Sequence, residues 1–356
     1  MDVFALLQVA KLRDASDLHL VVSSPPLLRV KGSLVAINGA SPLTPSEISE
    51  AFLQLTTPTE REGFTRSMEL DFGYSLSDGT RLRCNAAQQR GAISLAVRLL
   101  PPKIPTIDEL ELPLICKELV LKPRGLVVIS GPTGSGKSTT QAAMILHLNT
   151  NRSCHVLTIE DPIEYVHPSL NCAITQRQLG SDTLSFAQAL KHALRQDPDV
   201  ILVGEMRDIE TAASVLTLAE TGHLILTTGH APSAPQAVER VIDMFPPAER
   251  HLAQVRLASL LVAVITQTLV PRADGAGRVA AVEVMLANPP VRNLIREGKI
   301  YQLPNVIRTH HDIGMMTLDE SLVDLYLRGK INGETMLSVC NDPEEVQKLI
   351  GRVTVR

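Results

Sequence analysis

The chain has 356 residues, 44% hydrophobic and 20% charged; at roughly 100–200 residues per domain this argues for two or three folded domains and excludes wholesale disorder or a fibrous protein. Lysine plus arginine number 34 against 38 aspartate plus glutamate, a net charge of −4 with no basic block, so the electrostatic footprint of a general DNA-binding protein is absent. Aromatic residues make up 3% with no tryptophan, which argues against a large base-stacking surface for single-stranded nucleic acid.

Residues 1–100 read as a small α/β domain. A short helix is expected over 2–12, then strands over 18–22 and 27–37, broken by Pro25-Pro26 and by a Lys31-Gly32 turn. Thr44 with Pro45 and Glu47 forms a helix-opening signature, followed by Ile48, Ala51, Phe52 and Leu55 at helical spacing. Strands follow over 69–76, 81–87 and 92–100. Pro101-Pro102-Lys103-Ile104-Pro105 interrupts regular structure, which places a linker over 101–123.

From Gly125 the pattern changes. The runs 126–129, 155–159, 200–203 and 224–227 are short and almost wholly apolar, as strands buried on both faces must be, and helical segments separate them. A parallel α/β core over 124–288 is expected. The longest apolar stretch, 257–270, is too short to span a bilayer and contains Ser259, Thr266, Gln267 and Thr268. The N-terminus shows no signal-peptide pattern, so a cytoplasmic location is expected. The segment 289–356 reads helical, with Asn288 before Pro289-Pro290 opening one helix and Asp342-Pro343 opening the last. The five cysteines are odd in number and widely spaced, which suits buried reduced thiols rather than disulfides or zinc.

The chemistry concentrates after the 126–129 strand. Gly131-Pro132-Thr133-Gly134-Ser135-Gly136-Lys137-Ser138 matches G-x-x-x-x-G-K-[ST], placed between a strand and a helix as that motif requires. The glycines let backbone N–H groups close around a phosphate, Lys137 would reach the β- and γ-phosphates of ATP, and the Ser138 hydroxyl would ligate Mg²⁺. Thr139 is expected to help at the α-phosphate. Glu205 follows the 200–203 strand and is the first candidate to orient an attacking water, because ligands of such sheets sit at the carboxyl ends of the strands. Glu160, Asp161 and Glu164 follow the 155–159 strand and should reach the same edge. At least one should face metal or water; Asp161 is the metal candidate, with Glu160 and Glu164 beside Glu205 as catalytic candidates.

These motifs, in this order, make the chain resemble the type II/type IV secretion ATPase superfamily, and within it the pilus retraction ATPases of the PilT type. The resemblance runs through nearly the whole chain. It includes Asp17, Leu18 and His19 with Pro25, Pro26 and Arg29, then Arg81, Arg83 and Asn85, the phosphate loop, and Glu160 to Glu164. It continues through 197–208, Thr221-Gly222-His223 with His230, and 291–297.

What the resemblance implies is specific. The fold would be an N-terminal PAS-like α/β domain over 1–100 plus a RecA-like P-loop ATPase domain with a helical C-terminal region, assembled as a homohexamer with ATP between the two domains of one subunit. Arg83, Arg98 and the nearby Arg81 would neutralise phosphate charge, and His223 and His230 would sense the γ-phosphate. Gly229 and Ala231 flank His230 where members usually have Leu and Thr, and the freedom of glycine is expected to loosen His230. Arg292, Asn293, Arg296 and Glu297 match a signature needed for motor output, with Pro290 in place of the usual Ala. The implied partner is an inner-membrane pilus platform protein, reached from the cytoplasmic face with no direct membrane contact and no nucleic acid. Assembly and type II secretion members usually carry an extra N-terminal domain and a tetracysteine loop; neither pattern is found in this sequence, which favours retraction. The alternatives are an assembly or secretion ATPase, or an accessory or regulatory member with weak turnover.

Overall fold

The structure is a computed structural model that describes residues 1–30, 32–100 and 103–354. Lys31 of the expected turn, and Pro101 and Pro102 of the expected linker, lie outside the described residues. The chain divides into two units, Met1–Lys103 with Pro162–Val166, and Ile104–Asp161 with His167–Arg356.

The first unit runs α1 (Val3–Leu12), β1 (Ala15–Leu20), β2 (Leu27–Val30), β3 (Ser33–Ala36), α2 (Pro45–Leu55), α3 (Pro58–Ser67), β4 (Glu69–Ser75), β5 (Arg81–Gln89) and β6 (Ala92–Leu99). Its strands form an antiparallel sheet in the order β3-β2-β1-β6-β5-β4. Asp2 caps α1, and Thr44 and Glu47 close the expected capping box of α2, whose Ile48, Ala51, Phe52 and Leu55 are buried. The helix α3 opens on the same device, Thr57 with Glu60 behind Pro58. Apolar spacing could not announce it, because it buries only Phe64. Leu82, Cys84 and Ala86 alternate into the core with Leu18, Leu20, Leu95 and Val97, so the arginines of β5 and β6 stand on the opposite face.

The second unit opens with α4 (Ile115–Val120), β7 (Gly125–Ser130), α5 (Lys137–Asn151), β8 (His155–Glu160), β9 (Ala173–Gln178), α6 (Phe186–Ala193), β10 (Val200–Val203), α7 (Ile209–Glu220) and β11 (Leu224–Thr228). It continues with α8 (Ala234–Asp243), α9 (Arg250–Leu260), β12 (Leu261–Pro271), β13 (Arg278–Leu286), α10 (Pro289–Arg296), α11 (Leu303–Thr309), α12 (Leu318–Leu327), α13 (Gly333–Val339) and α14 (Pro343–Thr354). The sheet order is β13-β12-β7-β11-β10-β8-β9, with every neighbouring pair parallel except β12 and β13. Leu126 and Val128 point into one buried layer while Val127 and Ile129 point into the other, which is why β7 reads as an unbroken apolar run.

Residues 104–123, expected in the linker, pack into this second unit. Ile107, Leu112, Cys116, Leu119 and Val120 are buried with Val127, Ile129 and Met144. Proline breaks regular structure there, but the apolar residues behind it still have surface to bury. The C-terminal region is helical as expected. Its helices α10 and α11 share a core with α7 to α9, whereas Leu322, Val323, Leu325, Met336 and Val346 pack on Val270, Val279 and Ala281 of the β12–β13 hairpin. Only the first strand of that hairpin, β12, falls in the stretch 257–270, whose length and polar residues make it unfit to span a bilayer. Among the described residues no helix is long and apolar enough to cross one. The cysteines are free thiols, three of them buried, and Cys154 Sγ lies 3.5 Å from Cys172 Sγ, a proximity that their separation in sequence conceals.

Candidate functional site

Because β7, β8, β10 and β11 are parallel, the segments that follow them emerge on one edge of the sheet. After β7 comes the glycine loop. Gly131, Gly134 and Gly136 have φ of 140°, 77° and 88°, and a Cβ on Gly131 would lie 2.3 Å from the Gln267 carbonyl oxygen. A side chain at that position is excluded sterically as well as conformationally. Lys137 Nζ curls back to donate to the carbonyls of Gly131 (2.7 Å) and Pro132 (3.0 Å). No side chain caps α5, so its positive end faces the loop. The Ser135 hydroxyl is buried with no hydrogen-bond partner. Pro132, Thr133 and Gly134 are exposed, whereas Ser138 and Thr139 are half-buried at the first turn. This cradle fits an oxyanion.

Glu205 stands just beyond β10, with a side chain only 12% exposed, and its two oxygens have different partners. Oε1 lies 2.6 Å from Arg207 Nε and Oε2 lies 3.7 Å from His230 Nε2, which links the segments after β10 and β11. Glu160 accepts from the Thr158 hydroxyl (2.6 Å) and from Gln176 Nε2 (3.1 Å), while Asp161 beside it is exposed. Glu164 lies in the segment Pro162–Val166, which groups with the first unit. Its Oε1 lies 3.5 Å from Arg83 Nη1. No cluster of three or more His, Cys, Asp or Glu able to hold a metal occurs among the described residues. Ser138 and Asp161 nonetheless supply the hard oxygen donors that suit Mg²⁺, which ordinarily keeps waters and phosphate oxygens as its other ligands.

In the first unit the arginines form a row. Arg83 pairs directly across from Arg98, Arg98 from Asp17, and Asp17 from Arg29. Arg98 Nε donates to Asp17 Oδ1 at 2.9 Å, and Arg29 Nε lies 3.7 Å from Oδ2. Burial pushes the Asp17 carboxyl up, but the Ser16 hydroxyl and the Arg98 guanidinium outweigh it and leave it below the ordinary value. Like charges facing each other across strands are unfavourable, and Asp17 offsets that cost. Arg81 donates to Ser75 Oγ (3.0 Å) and the Ile163 carbonyl (3.4 Å).

The two histidines separate. His223 precedes β11 and His230 follows it, so they sit at opposite edges of the sheet, roughly 20 Å apart along an extended chain. His223 Nδ1 lies 2.9 Å from the Leu218 carbonyl and 3.0 Å from Thr221 Oγ1, and its carbonyl accepts from Gly125 N. It closes the turn after α7, away from the phosphate loop of its own chain. The freedom expected at Gly229 is also not realised. Its N–H donates to the Ile129 carbonyl at 2.9 Å, extending the β11–β7 ladder, and a Cβ would lie 3.1 Å from Ser130 Oγ.

Several residues at this edge escaped the reading of the sequence. Gln267 is buried on β12, where its Nε2 donates to the Ser135 carbonyl and its Oε1 accepts from Thr140 Oγ1 at 2.8 Å. It ties Ser135 within the phosphate loop to Thr140 in the first turn of α5. The signal was an amide inside an apolar run, since a buried polar group needs a buried partner. Arg207, the partner of Glu205, is read from the sequence only as part of the 197–208 run. In the C-terminal signature, Arg292 Nη1 donates to the carbonyls of Ala258 (2.7 Å) and Ser259 (2.6 Å), tying α10 to the end of α9, and Asn293 donates to Glu297 Oε1 at 2.9 Å. Arg296 is exposed.

Residues 107–302 match the family described as "Type II/IV secretion system protein". The chain is 43% identical over 344 residues to "Type IV pilus retractation ATPase PilT" of Pseudomonas aeruginosa, covering 97% of this chain and 99% of that protein. It is 40% identical over 351 residues to "Type IV pilus ATPase PilU" of the same organism, covering 98% and 91%. Among solved structures, "Crystal Structure of the Pilus Retraction Motor PilT and Bound ADP" superposes with a TM-score of 0.90 at 38% identity, covering 98% of this chain and 99% of that one. The likeness bears out the expected α/β class, with an N-terminal domain joined to a RecA-like ATPase domain. With the phosphate loop in its strand-to-helix setting and relatives matched end to end, the chain belongs to the type II/IV secretion system protein family and is an ATPase of it.

Proposed function

We propose that this chain is the subunit of a hexameric ATPase motor that drives retraction of type IV pili. The observation that carries the reading is its end-to-end match, in sequence and in fold, to a retraction ATPase. The glycine cradle and the uncapped N-terminus of α5 would take the phosphates of ATP, with Lys137 leaving the Gly131 and Pro132 carbonyls for the β- and γ-oxygens. Pro132, Thr133, Ser135 and Thr139 complete that lining. Mg²⁺, held by Ser138 and Asp161, would supply positive charge at the phosphate oxygens. Glu205 orients the attacking water, and Glu160 supports that edge. His230, facing Glu205, reports whether the γ-phosphate is present.

Arg83, Arg98 and Arg81 supply the cations that the first unit brings to the nucleotide, Arg83 exchanging its Glu164 partner for phosphate. Charge of this kind is worth about 10³–10⁵ in rate where it reaches the transferring group. Loss of the γ-phosphate then reverses the preference between two arrangements of the units, and that difference is the work stroke. The load is an inner-membrane platform protein of the pilus, engaged at the cytoplasmic face of that membrane.

Deleting the gene and counting surface pili alongside surface motility tests the direction. Excess pili with lost motility support retraction; bald cells would make this an assembly motor. The 40% identity to a second pilus ATPase keeps one other reading, an accessory motor, for which pilus number stays unchanged while motility under load falls.

A further inference from the structure

Three polar side chains stand in one row across the β7, β12 and β13 strands: Ser130 pairs with Thr266, and Thr266 with Glu283. They lie beneath the loop that joins β11 to α8 and carries His230. Ser130 Oγ donates to the Ala231 carbonyl at 2.7 Å. Glu283 Oε1 accepts from the Ala234 N–H, the first amide of α8. With the Gly229 N–H on the Ile129 carbonyl, the loop is fastened on both sides of His230.

Glu283 is 8% exposed and belongs to no part of the nucleotide cradle. Burial pushes its carboxyl up, opposed by the Ala234 N–H and the Thr266 hydroxyl, with the Asp319 carboxylate adding to the rise. A carboxyl group kept in such surroundings costs stability unless the bonds it accepts are needed. Its acceptor role at the positive end of α8 provides one such need.

We infer that Glu283 is a positioning residue for His230, acting through the Ala234 amide and the α8 N-terminus to hold the imidazole against Glu205. This rests on the role proposed above for His230. Removing the carboxyl frees the end of α8 and lets the loop drift, and displacement of order 1 Å at a catalytic constellation can cost about 10²-fold.

The test uses the full-length protein with three variants, Glu283→Ala, Glu283→Gln and Thr266→Val, each in the wild-type and the His230→Ala background. Two readouts are taken, steady-state ATPase kinetics and the rate at which diethyl pyrocarbonate labels His230, followed by peptide mass spectrometry. Glu283→Ala is expected to lower kcat about ten- to a hundred-fold with little change in KM. It should also raise His230 labelling several-fold and have no further effect on kcat once His230 is alanine. Glu283→Gln, which keeps an oxygen for the Ala234 amide, should restore most of both. Should Glu283→Ala fail to fold, Thr266→Val, which loosens the carboxylate without removing it, carries the same two expectations at smaller amplitude. Unchanged His230 labelling in every folded variant overturns the inference, whatever happens to turnover. Wild-type turnover in His230→Ala alone would instead refute the role proposed for His230, while the labelling rates would still decide whether Glu283 positions it.

Discussion

Lys137 and Glu205 lie on one edge of the same sheet, and their surroundings separate their effects. The Lys137 ammonium is spent on two loop carbonyls, a poor substitute for phosphate, so Lys137→Ala should abolish measurable binding of a fluorescent ATP analogue. Glu205→Gln should leave that binding intact and lower turnover by about 10²–10⁴-fold, the usual worth of a positioned acid or base. His223→Ala should leave turnover unchanged, because its imidazole closes a turn at the far edge; a large loss would show that a neighbouring subunit brings it to a nucleotide. His167 gives a pH signature of its own. Burial lowers its imidazole from 6.5 to about 4 with no compensating partner at Nδ1. The unfolded chain therefore binds the proton first, so stability falls as pH drops below 6.5 and the loss levels off near 4. Between pH 7 and pH 5 that term is about 2 kcal/mol, and a folded His167→Phe variant should show a correspondingly flatter acid limb in urea unfolding.

Two ties between elements matter as much as any one site residue. Gln267 on β12 bridges the Ser135 carbonyl and the Thr140 hydroxyl, fastening the phosphate loop to the strand beside β7. Gln267→Leu keeps the volume but strands both partners, at a cost of about 1–3 kcal/mol, and should weaken nucleotide affinity by loosening the loop. Urea unfolding together with ADP titration checks both effects. The second tie is Glu111, whose carboxylate meets Arg272 (2.9 Å), Arg328 (2.7 Å) and Lys330 (2.9 Å). It fastens the segment before α4 to the end of β12 and the turn after α12. Without it three cations face one another, so Glu111→Ala should raise hydrogen exchange in α12 while leaving the amides of β7 protected.

At the scale of the whole molecule, the proposed ring makes a prediction that no single-chain property carries. If six subunits hydrolyse ATP in a coupled order, inactive Glu205→Gln subunits mixed into the ring should depress ATPase activity more steeply than their fraction. A linear fall would mean that subunits fire independently. The row of Arg29, Asp17, Arg98 and Arg83 runs across four strands of the first unit, an arrangement that only the strand pairing of the whole sheet creates.

The sequence by itself determined the elements whose cause is local. Helix openings at Thr44 and Asn288 follow from a capping side chain followed by proline, the buried parallel strands from apolar runs, and the phosphate loop from glycines whose φ few other residues accept. Motif order carried the family. Only the tertiary structure decided which residues share a site, because sheet order and strand direction are set by long-range packing that no neighbouring residue encodes. Seven positions of chain put His223 at one edge of the sheet and His230 at the other, while strands far apart in sequence bring Gln267 beneath Ser135 and Glu283 beneath Ala234. The same packing assigns Glu164 to Arg83 in the first unit and Glu160 to Gln176 in the second, although the two carboxylates are only four positions apart in the chain.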